Sequence, residues 1–204
     1  IKTIDIENNS YVFNNHYALV NNGNNQLFQD EMIGNNINIH FNQKDLENIL
    51  ITGMAQSSYY VVNDSTWLMG LNEATGDTIS LNYINQDLDN MYIIGDARGI
   101  FHPEKNQTKI DSTLEYKASR IDYDIKNQLT HLQHNVEINY SNTQLISENV
   151  QVDWKDNKLY AFSNDSLISK ISSEGQEPIT GNNLEFDLIN KRGIIRLGET
   201  NVGD

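Results

Sequence analysis

Apolar and polar residues alternate in short runs, and the runs come in pairs joined by polar turns. Ile37, Ile39 and Phe41 alternate with Asn38 and His40; a polar turn around Gln43 and Lys44 follows, and Ile49 and Ile51 lead up to Gly53-Met54-Ala55. The unit then returns, with Ile79, Leu81 and Tyr83, a turn at Asn85 and Gln86, Met91 and Ile93, and a closing Gly95-Asp96-Ala97. The offset is 42 residues both from Gly34 to Gly76 and from Gly53 to Gly95. Strict alternation puts successive side chains on opposite faces of a strand, so each unit predicts a strand, a hairpin turn and a second strand ending at Gly-x-Ala.

Weaker copies continue downstream. Ile121-Asp122-Tyr123-Asp124-Ile125 turns at Lys126-Asn127-Gln128 into Leu129 to Tyr140, and Val150 to Trp154 turns at Lys155 to Lys158 into Leu159 to Phe162. The last copy runs from Leu184 to Leu188, turns at Ile189 to Gly193, and resumes at Ile194 to Leu197. Asn and Asp suit such turns because they tolerate positive φ and satisfy the backbone locally. Gln43 to Leu50 is the nearest approach to a helical pattern, and its equivalent at Gln86 to Tyr92 reads as a hairpin. Repeated units of this kind stack to share one core, so the chain is expected to be all-β, antiparallel and a single domain over residues 1–204.

Stacked copies place Ile37, Ile39, Phe41, Ile49 and Ile51 in columns with Ile79, Leu81, Tyr83, Met91 and Ile93, forming one apolar wall. Two readings of that wall stand side by side: a filled core, or a sheet folded over on itself without full closure, leaving an apolar trough.

Composition narrows the function classes. The formal charge is −14, with 28 acidic against 14 basic residues, which opposes binding to a phosphate backbone, so no nucleic-acid partner is expected. With no cysteine, the segment contains no disulfide, Cys-held metal or lipid-anchored Cys. It has no apolar run near the ~18 residues that span a bilayer as a helix. The chain begins at Ile1 without Met and reads as processed or trimmed.

Catalytic chemistry finds no foothold. His131 and His134 are three apart, which on a plain strand sets them on opposite faces, and no third ligand is near in sequence. Asp87, Asp89 and Asn90 lack the twelve-residue calcium loop with its closing Glu and read as a solvated turn. Nucleophile elbow, phosphate loop and HExxH are all missing, so no catalytic residue, metal or cofactor is expected.

Gly76 to Tyr83, Leu88 to Ile93, Gly95-Asp96-Ala97 and Ser147 to Val152 together resemble the OstA-like domain of lipopolysaccharide transport proteins, the family of LptA, the periplasmic part of LptC and the N-terminal domain of LptD. Glu174 to Asp187 with Lys191-Arg192-Gly193 is similar to the stretch before the outer-membrane barrel of some LptD-type chains. The resemblance covers roughly Leu27 to Leu197. It implies a slotted, twisted antiparallel β-jelly roll whose interior shields the acyl chains of lipopolysaccharide or a related glycolipid. The trough would then be lined by the ten residues just named, continued by Ile121, Tyr123, Val150, Val152, Trp154, Leu184 and Phe186. It also implies a periplasmic location, with association with the outer membrane as a further expectation.

Such domains join edge to edge with other OstA-like domains, a second copy included. The last strand pair, with Leu184, Phe186, Ile194, Ile195 and Leu197, carries no proline to blunt it, so it is the expected assembly edge. Two rival classes remain: a structural or adhesive β-repeat protein, and a β-helical polysaccharide-active enzyme.

Overall fold

The structure, a computed structural model, describes residues 2–63, 65–105, 108–163 and 168–195. Among them there is no helix. Thirteen strands form one antiparallel sheet: β1 Thr3–Leu19, β2 Asn25–Asn42, β3 Asp45–Val62, β4 Leu68–Ile84, β5 Asp87–Pro103, β6 Leu114–Asp124, β7 Leu129–Tyr140, β8 Thr143–Asp153, β9 Lys158–Phe162, β10 Ser169–Ser173, β11 Ile179–Gly181, β12 Asn183–Asp187 and β13 Arg192–Ile195. Each strand from β1 to β9 pairs with the next, and β9 continues through β12 to β13. β10 pairs with β8 and with β11.

The first five strands are 17 or 18 residues long, about three times an ordinary strand. They are that long because they bend. Pairs of left-handed residues interrupt alternate strands: Asn8 and Asn9 on β1, Gly53 and Met54 on β3, Gly95 and Asp96 on β5, His134 and Asn135 on β7. The ladder slips at each of these places and then resumes, as a β-bulge requires. The repeated Gly-x-Ala is therefore a corner and not the end of a strand, and β3 and β5 run on to Val62 and Pro103.

Each pair that meets along the corner includes at least one small residue. Ser10 pairs with Gly34, Ala55 with Gly76, Ala97 with Ala118, and Val136 with Ser147. A methyl group on Gly76 would stand 2.5 Å from Cγ2 of Ile93, and one on Gly34 would run into Ile51. At Gly34 and Gly76 no side chain fits where the sheet doubles back, whereas on β7 the corner takes the buried Val136.

The bend divides the sheet into two facing leaves. Residues 3–7, 36–52, 78–94, 120–133 and 149–153, with β9, β12 and β13, make the first; residues 10–34, 55–76, 97–103, 114–118 and 136–147, with β10 and β11, make the second. Their inner faces share one buried cluster that extends from Met32 to Leu188.

Candidate functional site: the slot between the leaves

Two in-register columns run across the inner face of the first leaf. The first reads Ile37, Ile51, Ile79, Ile93, Ile121, Leu132, Val150, Ala161 and Leu184. The second reads Ile39, Ile49, Leu81, Met91, Tyr123, Thr130, Val152, Leu159 and Phe186. Phe41 and Tyr83 continue two residues beyond the second column on their strands, and Trp154 follows β8 directly.

Burial separates these residues into two groups. Ile37, Ile49, Ile51, Ile79, Leu81, Met91, Ile93, Ile121, Tyr123, Val150, Val152, Leu184 and Phe186 are buried, whereas Ile39, Phe41, Tyr83 and Trp154 are half-buried. The middle of the slot is thus filled by its own side chains, each contributing about 1.5–3 kcal/mol by leaving water. At the β1 end it is open: Ile6, Val12, Ile39 and Leu46 pack against the core and stay partly exposed. At the other end it is closed, because Ile171 and Ile179 of the second leaf reach over Gly193, where an added methyl would stand 3.1 Å from the Cδ1 of each.

A cavity of about 120 Å³ lies at the mouth, where the leaves end in turns. Met91, Tyr123 and Trp154 are the trough candidates that line it. Tyr59, Val61, Asn72, Phe101 and Ile110 line it too, and none was singled out by pattern. Phe101 and Trp154 hold the mouth together across the leaves, with ring centroids 5.1 Å apart.

Polar groups in this wall are few and paired. The Tyr116 hydroxyl donates to Oδ1 of Asn72 and lies 2.8 Å from the Tyr123 hydroxyl. Indole Nε1–H of Trp154 donates to Oγ1 of Thr130 at 2.9 Å. Burial pushes the Tyr123 hydroxyl up to about 12 and the Tyr116 hydroxyl well above its ordinary value. None of these is an acid or base at neutral pH.

At the open end, the buried Asp30 carboxylate accepts the Tyr60 N–H at 2.9 Å and pairs with Nδ1 of His16 at 3.2 Å. β2 has parted from β3 here, their ladder ending at Glu31 and Ser58, and the carboxylate takes the place of the missing backbone acceptor. Burial raises the Asp30 carboxyl above the usual carboxylate range, against the opposing pull of Tyr60, His16 and Asn14.

The outer face of the first leaf carries an asparagine ladder. Asn48 donates to Asn82 at 2.8 Å, and Asn82 to Asn90 at 2.7 Å, so Asn90 belongs to a sheet surface and not to an ion site. His134 lies in the corner, with Nδ1 2.6 Å from Oε1 of Glu148, so the plain alternation expected from His131 to His134 does not hold. Among the described residues no three His, Asp or Glu side chains converge to hold a metal.

The C-terminal edge differs from expectation in one respect. β12 is paired on both sides, with β9 and β13, so Leu184 and Phe186 are interior; among the described residues the edge is β13, with Ile194 and Ile195. Leu197 lies outside the described residues.

No family model matches the chain, and no curated protein matches it. Among solved structures it is similar to LptH of Pseudomonas aeruginosa, described as the LptA-homologous periplasmic component of the lipopolysaccharide transport device. That match has 11% identity and a TM-score of 0.48, and covers 78% of this chain and 90% of that one.

Proposed function

We propose that this chain is a periplasmic carrier that holds acyl chains of lipopolysaccharide or a related glycolipid between its two leaves, and that it works by burial alone, without catalysis. One observation carries this reading: the sheet folds over an apolar interior but leaves it open, with partly exposed Ile39 and Phe41 at the β1 end and a cavity at the mouth. A single folded sheet with one open side lets chains enter sideways while the sugar stays in water. The motif resemblance to the OstA-like domain supports the same reading. The β13 edge fits assembly with another domain of like fold, since its outer backbone groups carry no ladder among the described residues.

Close packing of Ile51, Ile79 and Ile93 favours the structural-repeat alternative for the middle of the slot. The two readings differ in what co-purifies. Native mass spectrometry and lipid extraction of the chain produced in a lipopolysaccharide-making host are expected to show bound glycolipid; a chain without lipid, even after addition of purified lipopolysaccharide, would overturn the carrier.

A further inference from the structure

We propose that the mouth cavity is a binding site for an uncharged hydroxyl carried on an apolar chain, and that it discriminates against carboxylate, phosphate and amine groups at the same place. The proposal rests on the carrier reading and adds to it the kind of chain that the slot accepts.

The cavity wall is apolar over most of its extent, with Val61, Met69, Met91, Phe101, Ile110 and Trp154. An apolar cavity of about 150 Å³ holds a benzene molecule, so the 120 Å³ here has room for a few carbons of a chain. Three buried polar side chains interrupt the wall: Asn72 from β4, Tyr123 from β6 and Thr130 from β7, only 5%, 7% and 2% exposed. Tyr123 and Thr130 stand directly opposite each other in the ladder. Apolar residues at these positions would complete the wall, whereas polar ones leave hydrogen-bonding capacity on it.

That capacity follows from where the protons go. Tyr116 gives its one hydroxyl proton to Oδ1 of Asn72, so across the 2.8 Å contact it is Tyr123 that donates to Tyr116. The Tyr123 oxygen keeps its lone pairs, and the Asn72 amide approaches it only at 3.5 Å. The two amide protons of Asn72 have this one long contact among the described residues. Thr130 accepts the Trp154 indole N–H at 2.9 Å and has its own proton to give. The cavity therefore offers an acceptor at Tyr123 beside donors at Asn72 and Thr130. A hydroxyl group both accepts and donates, and is the smallest group that satisfies the two sides at once.

Charge excludes other head groups. Among the described residues that line the cavity there is no Lys, Arg or His, and Asp124 is the one side chain charged at neutral pH. A carboxylate or phosphate would lose its water with no cation to meet it and with a like charge nearby. An amine finds Asp124 already engaged: the Asn127 backbone N–H donates to its Oδ1 at 2.9 Å, and Nδ2 of Asn127 to its Oδ2 at 2.7 Å.

The test uses the whole chain, with octan-1-ol, octanoate, octylammonium and toluene as probes at about pH 8, where the acid and the amine are both charged. The indole N–H resonance of Trp154, identified by its loss in Trp154→Phe, reads occupancy of the cavity by nuclear magnetic resonance. Toluene needs the cavity alone, whereas octan-1-ol also needs the groups that bind its hydroxyl. Octan-1-ol is expected to bind at least about tenfold more tightly than octanoate, and more tightly than octylammonium. Tyr123→Phe keeps the ring and removes the hydroxyl, and Thr130→Val keeps the shape. Each should weaken octan-1-ol at least about threefold, as the loss of one hydrogen bond does, and leave toluene binding unchanged. Toluene and octan-1-ol weakened equally, octan-1-ol indifferent to both variants, or octanoate or octylammonium bound as tightly as octan-1-ol would overturn the proposal and leave the carrier reading standing. No shift with either toluene or octan-1-ol would overturn both.

Discussion

The hydroxyl groups of Tyr116 and Tyr123 lie 2.8 Å apart although both residues belong to β6, seven positions from each other. On a straight strand seven positions span about 23 Å, and an odd spacing puts the side chains on opposite faces. Both conditions are broken by the corner at residues 118–119, which turns the strand back and shifts its phase. The pair, with Asn72 on β4, is a hydrogen-bonded tie between the leaves. We expect Tyr116→Phe to cost about 1–3 kcal/mol, because it strips a partner from both Asn72 and Tyr123. Tyr123→Phe, which leaves the Tyr116 to Asn72 bond intact, should cost less; urea unfolding of the two variants gives the order.

Alkaline pH should act through the same hydroxyls. Burial holds Tyr123 at about 12, and burial with the Asp30 charge holds Tyr59 and Tyr83 at about 12. An unfolded tyrosine titrates near about 10, so from about pH 10 to 12 the unfolded chain binds fewer protons than the folded one, and stability falls as pH rises. The part of the tyrosinate absorbance that Tyr59→Phe, Tyr83→Phe and Tyr123→Phe remove should therefore appear together with loss of the β-sheet circular dichroism signal over that window.

The corner offers a steric test. Gly76→Ala places a methyl against Ile93, and overpacking of this kind costs about 1–3 kcal/mol. Ile93→Leu in the same chain removes the Cγ2 branch that meets this methyl and should recover part of the loss, whereas Ile93→Leu alone should destabilise. A double-mutant cycle by chemical denaturation checks the coupling.

Much of the inner face was legible because a two-residue period is a direct projection of strand geometry. Ile37 with Ile79, and Ile51 with Ile93, expected as matching members of columns on one face, stand in one ladder that continues to Ile121. The corner was not legible as a corner. On β2 the inward residues pass from Ile37 to Gly34, and on β4 from Ile79 to Gly76, a step of three that reverses the alternation. A period of two sees that reversal as the end of a strand. For the same reason the second leaf's contributions to the mouth, Tyr59, Asn72 and Phe101, were missed, since they lie on the far side of the reversal. Ile110 comes from the connection after β5, where no period exists to read.

Asp30 gives a prediction at the acid side. Its folded carboxyl is raised by burial, so its contribution to stability is complete below about pH 4 and is lost as pH rises through the folded value. Asp30→Asn keeps an acceptor for the Tyr60 N–H and cannot ionise. The variant should gain stability relative to the native chain between about pH 4 and pH 7, as read from urea midpoints at a series of pH values. A constant difference across that range would assign no such role to the carboxyl.

The central claim is that acyl chains enter the slot at its mouth and its open end, not at its filled middle. Site-specific photocrosslinking with purified lipopolysaccharide tests it most directly. Crosslinkers at Val61 and Trp154, which line the mouth, and at Ile39, at the open end, should capture the lipid; outward positions Glu73 and Thr75 on β4 should not. Capture at Glu73 and Thr75 equal to that at Val61 and Trp154, or no capture at any inward position, would contradict it.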